Sequence, residues 1–132
     1  TFHNWKKTDR GSLNFVQAFT ESCDTWFYQA GIKTGADPII EWAQKMGFGS
    51  KCGIPLRGEV EGRVPNDTYM KAKFGRKLLN GDIANLSIGQ GDCEVTPLQM
   101  AQAMATVANG GKLYQTRLVQ QVQTLDLEIL PK

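Results

Sequence analysis

A mostly α-helical fold is what this sequence predicts, with at most a short strand region near the C-terminus. Three observations carry that expectation. Apolar residues recur at helical spacing around Phe15, Trp26 and Ile39. Thr96-Pro97-Leu98-Gln99 reads as a complete helix start. Strand-like composition is confined to residues 118–123, around Val119, and its alternation is imperfect. At 132 residues with 41% hydrophobic and 21% charged side chains, the chain suits one ordinary globular domain or part of one.

In chain order, Ser12 is placed to cap a helix through Leu13, Phe15, Val16 and Phe19, whose spacing makes one apolar face. Ser22-Cys23-Asp24 interrupts it with capping and turn-forming residues. A second amphipathic stretch carries Trp26, Phe27 and Ala30, after which Gly31 and Gly35 bracket a connector. Asp37-Pro38 opens a further helix, with Ile39, Ile40, Trp42, Ala43 and Met46 apolar and Gly47 as its stop. Residues 48–66 are rich in Gly, Pro and charge and read as a long surface loop in which Arg57, Glu59, Glu61 and Arg63 are solvated. Residues 67–79 suit a short basic helix with Tyr69, Met70 and Phe74 apolar, and Asn80-Gly81-Asp82 reads as a turn. The Thr96 cap should start a helix through Met100, Ala101, Met104, Ala105 and Ala108 that stops at Asn109-Gly110-Gly111. Its small residues would let another backbone approach closely.

Several function classes are disfavoured. A net charge of +2, with no Lys/Arg stripe alternating with aromatics, argues against nucleic acid as a partner. No run approaches the ~20 apolar residues of a membrane helix. Cys23, Cys52 and Cys93 form an odd, widely spaced set that makes a poor disulfide framework. Together with His3 they are four potential zinc ligands, but none sits at paired spacing, so small semi-buried thiols are expected and no metal. The polar start at Thr1 and the end at Lys132 read as cut ends.

Three segments together are diagnostic. They are Ser22-Cys23-Asp24-Thr25-Trp26-Phe27-Tyr28, Asn85-Leu86-Ser87-Ile88-Gly89-Gln90-Gly91, and Val95-Thr96-Pro97-Leu98-Gln99-Met100-Ala101 leading to Ala108-Asn109-Gly110-Gly111. In this order they resemble the transpeptidase domain of class B penicillin-binding proteins, and within it the elongation-type subgroup, penicillin-binding protein 2. The resemblance covers nearly the whole chain. That family works through an S-x-x-K motif bearing a nucleophilic serine, an S-x-N/D motif, and a K-T-G motif on a strand beside the site.

Ser22-Cys23-Asp24 matches the second motif. The resemblance implies that Ser22 relays a proton toward the leaving amine and bonds the motif lysine, while Asp24 holds that lysine and the substrate amide. Many relatives carry Asn at the position of Asp24. The competing reading is that Ser22 or Asp24 only caps the following helix. Gly89, Gln90 and Gly91 would bring backbone close to the wall of the substrate site, or form an ordinary loop before the Thr96 cap.

Two motifs are missing. None of the four serines, Ser12, Ser22, Ser50 and Ser87, has a lysine three residues later. The string Lys33-Thr34-Gly35 follows Ser22 too closely and sits in a connector rather than on a strand, so it is not the third motif. By the resemblance, S-x-x-K would lie upstream of Thr1 and K-T-G beyond Lys132.

Residues 1–132 are therefore expected to be an internal fragment of one transpeptidase domain, mainly the helical lobe of a fold in which a sheet packs between helices. The surface that normally meets that sheet should be exposed or covered by a partner chain. The implied parent is a serine D,D-transpeptidase on the periplasmic face of the bacterial cytoplasmic membrane. Peptidoglycan stem peptides and β-lactams would be its ligands, other cell-elongation proteins its partners, and no cofactor is called for. The fragment alone would be inactive. A non-catalytic interaction or scaffold domain derived from the same fold is the alternative. Hydrolysis of β-lactams is a third reading, although the pattern from Gly89 to Gly111 is more similar to the biosynthetic proteins.

Overall fold

The computed structural model describes residues 3–4, 11–126 and 129, and its regular structure is helical. The helices are α1 (Phe15–Thr20), α2 (Asp24–Thr34), α3 (Ala36–Lys45), α4 (Asp67–Phe74), α5 (Asn80–Ser87) and α6 (Pro97–Ala108). Among the described residues none is long and apolar enough to cross a membrane.

The expected cap of α1 moves from Ser12 to Asn14. Asn14 Oδ1 accepts the Gln17 N–H at 2.9 Å and Gln17 Oε1 accepts the Asn14 N–H at 3.0 Å. The reciprocal box needs a Gln or Glu three residues on, which Asn14 has and Ser12, with Phe15 at that spacing, does not. The connector expected from Gly31 to Gly35 is also corrected. Gly31 is buried inside α2, which runs on to Thr34, and Gly35 alone makes the joint to α3 at φ 85°. Gly31 is there for space: a Cβ on it would lie 2.5 Å from Ser87 Cβ. That missing side chain lets α5 lie against α2, and the Ser87 hydroxyl donates to the Phe27 carbonyl at 3.0 Å across the contact.

Asn80-Gly81-Asp82 is the first turn of α5 rather than a free turn. Asp82 accepts the Leu79 N–H at 2.8 Å, and Arg76 forks onto its two oxygens at 2.5 and 3.1 Å. The helix is then fixed by burial of Ala84 and Leu86. Leu86 joins Ile40 of α3 and Val64 in the core, with Ala36, Ile39, Ala43, Phe48, Leu78 and Cys93 packed around them.

α6 forms as read, with the reciprocal Thr96–Gln99 box and Pro97 in its first turn. Gln99 also does a tertiary job. It is 1% exposed, and its amide donates to the Ser50 and Glu61 carbonyls at 2.7 Å each, so one side chain clamps the long loop to the helix. That loop is less solvated than its composition suggests. Glu59 accepts the backbone N–H groups of Cys52 and Gly53, and Arg63 is half-buried. α6 buries Gln99, Ala103 and Thr106 and leaves Met100, Met104 and Val107 exposed. Residues 118–123 take no regular form; the strand character there survives as one isolated bridge, Gln123 to Ile129. Extended chain needs a neighbouring strand to satisfy its ladder.

Candidate functional site

The Ser22-Cys23-Asp24 segment is the tight turn between α1 and α2. Its middle residue anchors it. Cys23 is buried, and its N–H donates to the Ala18 carbonyl at 2.9 Å, with Ala18 itself fully buried. Ser22 donates its N–H to the Phe19 carbonyl at 3.2 Å and is exposed. Outside, Phe15, Phe19, Trp26 and Phe27 form a ring cluster with centroids 5.1–6.4 Å apart, and the Trp26 indole donates to the Leu13 carbonyl at 3.0 Å. The turn is thus braced by the helices on both sides.

Two local features of this turn run against simple folding preference. Ser22 has φ 53°, the one left-handed non-glycine among the described residues. The N-cap of α2 is Cys23, which makes no side-chain cap bond. Neither Ser22 nor Asp24 is therefore the N-cap. Asp24 is the first helical residue, and its N–H donates to Asn4 Oδ1 at 3.3 Å.

Gly89-Gln90-Gly91 follows the end of α5 that packs on α2. Gly89 N–H donates to Leu86 and Gln90 N–H to Asn85, and both glycines are left-handed, φ 73° and 80°. Nothing crowds Gly89, so glycine answers a dihedral need there and not a close approach. Beyond the loop stands a cluster that composition did not mark. Asp92 Oδ1 accepts the Tyr69 hydroxyl at 3.0 Å and pairs with Lys73 Nζ, while the Asp92 carbonyl accepts Arg63 Nε at 3.1 Å. Arg63 pairs with Glu94 and lies 4.7 Å over the Tyr69 ring. Lys73, then Tyr69, hold the Asp92 carboxyl below the usual carboxylate range against the pull of burial. A cavity of about 140 Å³ opens beside it, lined by Pro65, Met70, Leu78, Asn85, Gln90 and Asp92 among others.

The family described as penicillin binding protein transpeptidase domain matches residues 1–131. The chain belongs to that family. Peptidoglycan D,D-transpeptidase MrdA of Haemophilus influenzae is 35% identical over 127 residues, which is 96% of this chain and 20% of that protein. MrdA of Acinetobacter baumannii is 41% identical over 110 residues, 83% of this chain and 16% of that protein. Among solved structures, Pseudomonas aeruginosa PBP2, in complex with WCK 5153, aligns at TM-score 0.85 and 28% identity over 98% of this chain and 30% of that one. Helicobacter pylori PBP2, in a complex with MreC, aligns at TM-score 0.80 and 34% identity over 88% of this chain and 22% of that one. The chain spans about a fifth of the length of the curated relatives it matches, and within the fold of its structural neighbours it is the helical portion.

Ser22 and Asp24 share one turn, and 89–91 is tied to the same helix only through the packing of α5 on α2. Lys33 is exposed in the last turn of α2, on a helix and not a strand edge. All three cysteines are free. Burial, then Glu59, pushes the Cys52 thiol up, and burial, then Glu94, does the same to Cys93. Among the described residues no group of three or more His, Cys, Asp or Glu side chains is placed to hold a metal. The residues missed in the sequence, Asp92 and its partners Tyr69, Lys73 and Arg63, left no signal there because they come together from positions up to 29 residues apart.

Proposed function

We propose that this chain is an inner segment of a peptidoglycan D,D-transpeptidase of the elongation type, and that it supplies Ser22 and Asp24 to a serine acyl-enzyme mechanism. The nucleophile and the K-T-G strand belong to parts of the protein outside residues 1–132, and the segment alone is inactive. Ser22 Oγ, which can accept and donate at once, takes a proton from the motif lysine and passes it to the departing D-Ala amine as the nucleophilic serine acylates. Asp24, one helical turn-start away, orients that lysine and the substrate amide. Gly89, Gln90 and Gly91 form part of the substrate wall. β-Lactams enter as substrate mimics, other cell-elongation proteins are partners, as in the MreC complex of the Helicobacter pylori relative, and the site faces the periplasm.

One observation carries this reading. Ser22 occupies a left-handed conformation beside a helix start whose N-cap residue, Cys23, makes no side-chain cap bond. A non-glycine residue there costs about 1–2 kcal/mol, and such strain gathers at functional sites. In the full-length protein, Ser22→Ala should cut the rate of labelling by a fluorescent penicillin roughly 10²–10⁴-fold. Labelling at the wild-type rate with a lowered melting temperature would reduce Ser22 to a structural residue and leave a non-catalytic scaffold as the better account.

A further inference from the structure

We infer that Asp92 is a positioning residue for the 89–91 loop, fixing it from a network with Tyr69, Lys73 and Arg63 so that the transpeptidase substrate meets a preformed wall. The inference rests on the functional reading above.

The loop has a structural problem that Asp92 solves. Gly89 and Gly91 both sit in left-handed conformations, which glycine reaches without strain but also leaves easily. On the N-terminal side the loop is pinned by the last turn of α5, through Gly89 N–H to Leu86 and Gln90 N–H to Asn85 at 2.9 Å. On the other side the next residue is Asp92, and the first backbone bonds after it are the isolated Arg63–Glu94 bridge, two residues further on. Asp92 supplies the second pin with both its ends. Its carboxylate takes the Tyr69 hydroxyl and the Lys73 ammonium from one face of α4, and its carbonyl takes Arg63 Nε.

Those partners are themselves fixed. Arg63 exchanges two backbone bonds with Glu94, at 2.6 and 2.9 Å, and precedes Val64 of the core. The Tyr69 N–H donates to the Asn66 cap of α4, and Arg63 and Lys73 lie 4.7 and 5.4 Å from the centroid of its ring. An exposed Lys–Asp pair alone would contribute little. A carboxylate shared by a phenol and an ammonium, with the same residue's carbonyl held by a guanidinium, restrains direction as well as distance. Lys73 first, then Tyr69, hold the Asp92 carboxyl below the usual carboxylate range.

A wall that is only positioned affects how tightly substrate is held before reaction, not the proton transfers at Ser22. In the full-length protein, Asp92→Ala should raise the half-saturating concentration of fluorescent penicillin about fivefold or more and leave the maximal acylation rate within about twofold. Asp92→Asn keeps an oxygen for the Tyr69 hydroxyl and should recover most of that loss. Tyr69→Phe removes a single hydroxyl, keeps the ring under Arg63, and should shift half-saturation in the same direction by about two- to threefold. Unchanged half-saturation in both Asp92→Ala and Tyr69→Phe would overturn the inference. If Asp92→Ala does not fold, Tyr69→Phe decides alone. Failure of the underlying functional reading looks different: Ser22→Ala would then acylate at the wild-type rate.

Discussion

Left-handed backbone appears in two kinds of turn in this chain, and the two are filled differently. Where α2 joins α3, where α4 ends and where the 89–91 loop bends, the residue is glycine: Gly35, Gly75, Gly89 and Gly91. In the turn from α1 to α2 it is Ser22. Both turns are short and exposed, so packing does not explain the choice. At Gly75 a Cβ would meet nothing within 4 Å, and glycine is there purely for its dihedral. Serine at the same kind of position carries the strain and gains no capping bond for α2. What serine has there and glycine lacks is a hydroxyl, the group to which the proposed function gives the proton relay.

The sharpest way to break that comparison is to make the two turns alike. Ser22→Gly in the full-length protein should lower penicillin acylation roughly 10²–10⁴-fold. Its stability should stay level or rise by up to about 1 kcal/mol as the left-handed strain is relieved. Acylation at the parent rate in a variant that melts no lower would remove the functional claim for Ser22.

Gly31 separates glycine kept for space from glycine kept for its dihedral. Gly31→Ala pushes a Cβ onto Ser87 where α5 crosses α2. It should destabilise by about 1–3 kcal/mol, read from chemical denaturation. A neutral result would mean the two helices are free to move apart.

Gly75→Ala is the pure dihedral case. It should lower stability by about 1 kcal/mol and leave acylation unchanged, since Gly75 only caps α4. A loss of acylation there would blur the line between the two turns.

The smallest effect concerns the charges that frame these loops. The Arg76 guanidinium beside Asp82 holds that carboxyl below its ordinary 3.8, and Lys73 does the same for Asp92. A depressed folded-state value adds stability above the unfolded value, and this is lost as pH falls through the folded value. The melting temperature should therefore drop more steeply below about pH 4 in the parent than in Asp82→Asn. Equal slopes would show that the Arg76–Asp82 fork contributes nothing to holding α5.

Legibility in the sequence followed the range of the interaction. The α6 start could be read in full because its box closes within three residues, from Thr96 to Gln99. The Asn14 start obeys the same rule, since Gln17 completes its box, whereas Ser12 has Phe15 at that spacing. α5 was hidden behind Asn80-Gly81-Asp82, a turn by composition that becomes a helix start once Arg76 grips Asp82 and Leu86 enters the core.

Residue order alone was enough for the family, the mostly helical class and the Ser22-x-Asp24 and Gly-x-Gly motifs, because these are patterns of neighbours along the chain. It was silent on the left-handed Ser22, the glycine-shaped contact of α2 with α5, the Gln99 clamp and the Asp92 network. The last three depend on partners brought in from elsewhere: Ser87 against Gly31, Ser50 and Glu61 onto Gln99, Tyr69 and Arg63 onto Asp92. Periodicity and capping are properties of one segment. The close approach of two helices and the satisfaction of a buried amide or a charge are properties of the packed whole, so only the tertiary structure could decide them.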